Sequence, residues 1–341
     1  MPEIVKVEDL VEVYSDGTKA VDGVSFGVDE GEFFGFLGPN GAGKSTTIKV
    51  LTTLLSKTSG KITIAGFDIE KHGDAIRKII GVQSQDTTVD PDLTGRENMM
   101  LQGHLHQMGG EELKNRVTDL LNLVGLADVA DRRAGHYSGG MKKRLDLGSA
   151  LVHKPKLLFL DEPTTGLDPQ SRAAIWEYLS KLNKEEGITI FLTTQYMEEA
   201  DKLCERLFII DQGKIVANGT PESLKREVGA DSITMTLENG SAASATKEKA
   251  RQVLGGIPAI TKIMESDGGL TVYAKNASLI IADIVRTFDT NGIRLSSVNF
   301  ASPTLDDVFL LHTGKRIRAE ELNTKKTTFQ RFGAARRPVR E

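Results

Sequence analysis

The sequence predicts an α/β domain with an antiparallel β flank and a helical insertion, followed by a smaller α+β domain of ferredoxin-like pattern. Three observations carry this. The stretch Gly38-Pro39-Asn40-Gly41-Ala42-Gly43-Lys44-Ser45-Thr46 reads G-x-x-x-x-G-K-[ST] and lies between an apolar strand, Phe33 to Leu37, and a helical stretch, Thr47 to Leu55. A second apolar strand, Lys156 to Leu160, delivers Asp161 and Glu162 at its C-terminal end, where open α/β sheets hold ligands. Beyond residue 231 the texture changes to strand, helix, two strands, helix, strand.

Composition sets the outer limits. A chain of 341 residues predicts two domains, and 39% hydrophobic residues suffice for a buried core. Lys+Arg 43 against Asp+Glu 47, net charge −4, argues against a surface built for nucleic acid, and none is expected as a partner. The single cysteine, Cys204, excludes an intramolecular disulfide and reads as a small buried residue on a helix in a reducing compartment. Met1 to Asp9 has no basic start followed by an apolar run, so no secretory signal is expected. Nowhere do about 18 apolar residues follow one another. The expectation is a cytoplasmic chain that reaches a membrane only through other chains.

Taken in order, two alternating runs lie between residues 3 and 30, separated by the turn Ser15-Asp16-Gly17-Thr18. With Gly60 to Gly66 they form the antiparallel flank. Tyr14, before that turn, offers a ring on which an adenine can stack. In Gly38 to Thr46 the glycines let successive N–H groups face one anion, and the following helix start adds its positive dipole end. Lys44 supplies a point charge for terminal phosphates, and the Ser45 hydroxyl suits Mg²⁺. Ile79 to Gln85 is a strand running into a polar loop. Residues 95 to 153 are mostly helical by periodicity, with Gly125 as a stop.

A second glycine-rich helix start, Ser138-Gly139-Gly140-Met141, is capped by Ser138 and offers a second anion site. Lys142, Lys143 and Arg144 after it read as a solvated face. Asp161 suits Mg²⁺ held through water, and Glu162 suits the orientation and deprotonation of an attacking water. Gly166-Leu167-Asp168 and Pro169 precede a helix from Ser171 to Asn183. A strand from Gly187 to Thr194 ends at Gln195, and Arg206 to Ala217 forms a hairpin. The second domain carries no catalytic constellation and reads as a packing or dimerisation module, ending in an amphipathic segment, Pro303 to Leu311. From Gly314 the tail is basic and expected to be disordered. The expected limits are 1–229 for the first domain, with its insertion at about 95–153, 230–312 for the second, and 313–341 for the tail.

Together these motifs resemble the ATP-binding cassette (ABC) ATPases. Gly38 to Thr46 is similar to their Walker A, Gln85 to the Q-loop glutamine, and Ser138-Gly139-Gly140-Met141 to the signature. Leu157 to Glu162 resembles Walker B with its catalytic Glu, Gly166-Leu167-Asp168 the D-loop, and Tyr14 the A-loop aromatic. The resemblance implies a P-loop NTPase cassette with a RecA-like core. Tyr137 to Leu147, Thr193 to Ala200 and Pro303 to Phe309 resemble the daunorubicin-resistance type of subunit. That type pairs with a separate membrane permease, exports drugs or other hydrophobic compounds, and carries an appended C-terminal domain.

The resemblance implies ATP and Mg²⁺, with Ser45, Gln85 and Asp161 at the metal and Glu162, Gln195 and Lys44 in catalysis. It implies two such subunits, identical or different, closed head to tail at the inner face of the membrane. Each would set its Gly38 loop against the other's Ser138 to Met141. Two positions depart from the general pattern: Met141 stands for the usual Gln, and Gln195 for a His, so this chain has no titrating group at that switch. The runners-up are a soluble cassette ATPase acting on ribosomes or nucleic acid, and a nucleotide-gated regulatory module. One signature motif and no sustained heptad run disfavour the former.

Overall fold

A computed structural model of the chain describes residues 2–229, 231–238, 244–266, 269–274 and 277–314. They form two compact units, one running to Pro221 and one from Glu222 to Gly314. The tail expected to be disordered lies outside the described residues from Lys315 on.

The first unit contains, in chain order, β1 (Glu3–Val13), β2 (Lys19–Asp29), β3 (Phe33–Leu37), α1 (Lys44–Leu51), β4 (Ser59–Ile64) and β5 (Phe67–Asp68). There follow α2 (Gly73–Arg77), β6 (Ile80–Gln83), α3 (Gly95–Leu105), α4 (Gly110–Leu123), α5 (Gly139–Ala150) and β7 (Leu157–Asp161). It closes with α6 (Pro169–Glu186), β8 (Thr189–Thr194), α7 (Met197–Leu203), β9 (Arg206–Asp211), β10 (Lys214–Gly219) and the start of α8 (Pro221–Val228).

Two sheets result. The order β2-β1-β4-β5 is antiparallel throughout, because β1 and β2 are joined by a tight turn and alternate buried with exposed positions. The order β10-β9-β3-β8-β7-β6 is parallel except for the β9–β10 hairpin. Strands β3, β7 and β8 are buried at every position, as their unbroken apolar runs require of strands covered on both faces. A cluster of phenylalanines joins the sheets. Phe26 of β2 stacks on Phe34 at 5.7 Å, and Phe34 meets Phe191 at 5.0 Å. Each such buried ring is worth roughly 1.5–3 kcal/mol, and the cluster sits behind the glycine loop.

The helical region is three α-helices with irregular connections and ends at Ala150. Helix α3 begins in a Thr94–Glu97 capping box, and α4 stops at Gly125, whose φ of 63° a side chain would resist. The solvated face expected of Lys142 to Arg144 is overturned for two of the three. Lys143 is buried, and Arg144 donates to the carbonyl oxygens of Val124 and Gly125, tying off the end of α4. Three consecutive helical residues point 100° apart, so they cannot share one face.

The second unit completes α8 and adds β11 (Asp231–Leu237), α9 (Ser244–Gly255), β12 (Ile260–Ser266), β13 (Gly269–Ala274), α10 (Ala277–Thr290), β14 (Leu295–Ala301) and α11 (Leu305–Thr313). Its sheet, ordered β12-β13-β11-β14 and antiparallel, is the ferredoxin-like arrangement that the βαββαβ pattern predicts. Strands β12 and β14 each begin just after a turn. Ile257 and Ile260 make turn bonds around Pro258, and the Ile293 N–H still bonds Phe288 at the end of α10.

Candidate active site

The parallel sheet places the C-terminal ends of β3 and β7 on either side of β8, so the glycine loop and the Asp161–Glu162 pair arrive side by side. The loop has little freedom of its own. A Cβ on Gly38 would strike the carbonyl of Ile210, and one on Gly43, which also has φ 103°, would strike the carbonyl of Ala20. Gly43 occupies the N-cap of α1 and has no side chain to cap it, which leaves the first-turn N–H groups available for an anion.

Lys44 is buried, and its Nζ donates to the carbonyls of Gly38 at 2.8 Å and Pro39 at 2.9 Å, and lies 3.1 Å from Glu162 Oε1. Burial pushes its ammonium below the usual lysine value, and Glu162 pulls against that shift. Glu162 is equally buried, takes the Thr165 hydroxyl at 3.2 Å on Oε2, and stands in the left-handed region at φ 50°. Such backbone costs about 1–3 kcal/mol and aims a side chain that regular strand geometry would turn away. Asp161 Oδ1 accepts from Thr193 at 2.6 Å and from Ser45 at 3.1 Å. Tyr14 is part-exposed and shares a hydrogen bond of 2.8 Å with Thr46, which fixes the ring beside the loop.

These groups line one open cleft of about 580 Å³ that brings together Tyr14, Asn40, Gly41, Gly43 to Thr46, Gln85 and Glu162. Thr18, Lys19, Ala20 and Gln212 line it as well. Gln212, at φ 47°, belongs to the β9–β10 turn, and that turn is pinned to the loop by the Gly213 N–H on Ala42 at 3.0 Å. Asp161 adjoins the cleft through its bond with Ser45 without lining it, and the cleft does not include Ser138 to Met141, Asp168 or Gln195. Ser138 caps α5, its Oγ accepting from the Met141 N–H at 3.3 Å, and both Ser138 and Gly139 are exposed. Asp168 caps α6, accepting from the Ser171 N–H at 3.0 Å and its hydroxyl at 2.6 Å, which lowers its carboxyl. Gln195 follows β8 directly, one residue beyond the pairing of Leu37 with Thr194.

Comparison with known proteins decides the family. The model of the ABC transporter family matches residues 21–165, and that of the ATP-binding protein DrrA1-3-like C-terminal domain matches 219–313. The daunorubicin resistance ATP-binding protein DrrA2 of Streptomyces coeruleorubidus is 39% identical over 93% of this chain and 97% of its own. The chain belongs to the ABC transporter family.

It is an ATP-binding, ATP-hydrolysing subunit of that family. The linearmycin resistance ATP-binding protein LnrL of Bacillus subtilis is 37% identical over 92% of the chain and 100% of its own. The Nod factor export ATP-binding protein I of Paraburkholderia xenovorans is 37% identical over 93% and 100%. Among solved structures, cbiO1 of Clostridium perfringens, part of the ABC transporter complex cbiONQ, superposes with a TM-score of 0.61 at 30% identity, covering 76% of this chain and 97% of that one. A dimeric cassette in a post-hydrolysis state bound to ADP and Pi gives 0.59 at 29% identity, covering 63% and 98%. Among the described residues of this ABC subunit, no helix is long and apolar enough to cross a membrane.

Some cleft residues carry no motif. Thr18, Lys19 and Ala20 look like ordinary turn and strand residues; the Asp22 N–H on Gly213 and the Gly213 N–H on Ala42 tie this end of β2 to the phosphate loop. Gln212-Gly213 reads as a hairpin turn, and nothing in its sequence says which loop it leans on.

Proposed function

We propose that this chain powers an exporter: with a second ATP-binding subunit and a separate membrane permease, it drives efflux of a drug-like or hydrophobic compound. The observation that carries the reading is the convergence of Lys44, Ser45, Asp161, Glu162 and Tyr14, in a chain 37–39% identical to drug-resistance and Nod factor export subunits. Its place is the inner face of the cell membrane, held there by the permease.

Each residue has a task. Tyr14 stacks on the adenine, and Gly38 to Thr46 wraps the phosphates while Lys44 neutralises their charge. A phosphate entering the loop competes with Glu162 for Lys44, which releases the buried carboxylate to orient and deprotonate water. Gln195 donates a hydrogen bond to the γ-phosphate and keeps its charge state at all pH values. Ser138 to Met141 complete the ATP site of the second subunit, and Asp168 lies at the same contact.

Ser45, Asp161 and Gln85 would hold Mg²⁺. Hydroxyl, carboxylate and amide oxygens are the hard donors that ion prefers, and Ser45 Oγ already lies 3.1 Å from Asp161 Oδ1. Among the described residues no three His, Cys, Asp or Glu side chains gather to hold a metal alone, which agrees with an ion that keeps water and phosphate oxygens around it. Bound there, Mg²⁺ would spread the charge of the terminal phosphates.

The test is ATP-dependent uptake into inverted membrane vesicles holding this chain and its permease. Glu162→Gln should retain ATP binding and abolish uptake. Uptake at the parent rate would refute the assignment.

A further inference from the structure

The loop that carries Gln85 is strapped to the helix that carries the Ser138-Gly139-Gly140 start. After β6 the chain leaves the sheet, and residues 84–88 have no ladder to bond. Helix α5 supplies the missing partners. Lys143 Nζ donates to the Gln85 carbonyl oxygen. Asp146 Oδ1 accepts from the Thr88 N–H at 3.1 Å and from the Thr88 hydroxyl at 2.7 Å. From the end of β6, Gln83 Nε2 donates to the Lys143 carbonyl at 3.3 Å.

Lys143 and Asp146 are three residues apart on one helix face, and both are buried, at 8% and 3% exposure. Burying a lysine and an aspartate is costly, and a cassette core of leucines would avoid that cost. In a low-dielectric setting each strap bond is strong, and leaving its partner unbonded is expensive. The Gln85 loop and α5 are therefore held as one body.

We propose that Lys143 and Asp146 are positioning residues that set the place of Gln85 in the nucleotide cleft from the signature helix. A shift of α5 against a second subunit then moves Gln85, and a shift of the Gln85 loop moves the Ser138 end of α5. This rests on the reading of the Tyr14–Glu162 cleft as the ATP site.

The experiment is a double-mutant cycle on ATP hydrolysis by the full chain, using Lys143→Met, Gln85→Ala and the pair, with kcat and KM measured for each. Lys143→Met keeps the aliphatic stem and removes the donor. The expected result is a roughly tenfold or larger fall in kcat with KM within about twofold. In the Gln85→Ala background the same change should cost less than about twofold, because Gln85 is no longer there to be placed. Lys143→Arg, which keeps a donor, should recover most of the rate. Independent losses that multiply in the pair, or a fall in Lys143→Arg equal to that in Lys143→Met, would overturn the proposal. Thr88→Val removes one strap bond from an exposed loop position and serves in the same cycle if Lys143→Met does not fold. ATP binding by the parent, abolished in Lys44→Ala, tests the underlying site separately: a parent that binds no ATP refutes the site reading, while normal binding with multiplying losses refutes only the strap.

Discussion

The two units of the chain use their interiors differently. Among the described residues, every buried polar or charged side chain lies in the first unit, including Lys44, Lys143, Asp146, Asp161, Glu162 and Glu199. The second unit buries an apolar set around Ile233, Met235, Leu270, Val272, Ile284 and Phe288. Both have mixed helix and sheet, so architecture does not explain the contrast. A buried charge costs several kcal/mol that an apolar residue would not, so a unit that keeps many of them keeps them for chemistry or for a unique placement. The second unit has an interior suited to stability alone. ATP chemistry should therefore fail when the first interior is altered and survive when the second is softened.

The largest expected effect comes from the centre of the first interior. Glu162→Gln should lower kcat for ATP hydrolysis by roughly 10²–10⁴, the usual worth of a positioned general base, with ATP binding retained. Steady-state hydrolysis checks this, and a rate near that of the parent would remove Glu162 from the chemistry. Gln195→Ala should slow hydrolysis by roughly ten- to a thousand-fold, the effect of losing one positioned donor. An unchanged rate would place Gln195 outside the mechanism. Tyr14→Ala should weaken ATP binding by about 1–3 kcal/mol, roughly five- to 150-fold in the dissociation constant, read by calorimetry.

Acid should distinguish the two interiors. His153 donates its Nε2–H to the Ile80 carbonyl oxygen, 2.8 Å away, stacks on His106 at 3.7 Å, and keeps Nδ1 buried without a partner. Burial, helped by the nearby His106 and Arg116 charges, pulls its imidazole down to about 4. The folded value lies below the unfolded one, so the unfolded chain takes the proton first. The stabilising contribution is whole above about pH 6.5 and is lost as pH falls toward about 4. Discounted for partial exposure, it amounts to about 1–2 kcal/mol. The sole tryptophan, Trp176, lies in the first unit and reports its unfolding selectively. Denaturant midpoints by Trp176 fluorescence should fall between pH 7 and pH 4.5 more steeply in the parent than in His153→Asn; equal slopes would contradict the assignment. The smallest effect belongs to the second interior. Ile284→Val should lower the stability of that unit by about 0.5–1.5 kcal/mol and leave kcat within about twofold. A large loss of kcat there would break the contrast between the units.

Much of this was legible in the chain itself. Glycines at fixed spacing, an apolar strand before them and Lys44 after them can be read without coordinates, because a phosphate loop is built from contiguous residues. The ferredoxin-like order of the second unit was legible for the same local reason: strands and helices alternate between clear turn signals. Lys143 was not, because neighbouring Lys142 and Arg144 hide it in a run of charge. A signal was present: Lys143, Asp146, Leu147 and Ala150 recur at helical spacing, and the last two are apolar, so the first two share a buried face. Lys19 and Gln212 had no such signal. Their place at the cleft depends on backbone bonds between residues far apart in sequence, the Asp22 N–H on Gly213 and the Gly213 N–H on Ala42, which no local pattern encodes.

The central claim is that the cleft is half of a site and that ATP joins it to the other half. The most direct measurement is the sedimentation of purified Glu162→Gln with and without saturating ATP and Mg²⁺. A monomer is expected without nucleotide and a stable dimer with it, and that dimer should be lost when Ser138 is replaced by a bulky residue. A monomer at saturating ATP, or a dimer indifferent to both nucleotide and Ser138, would contradict it.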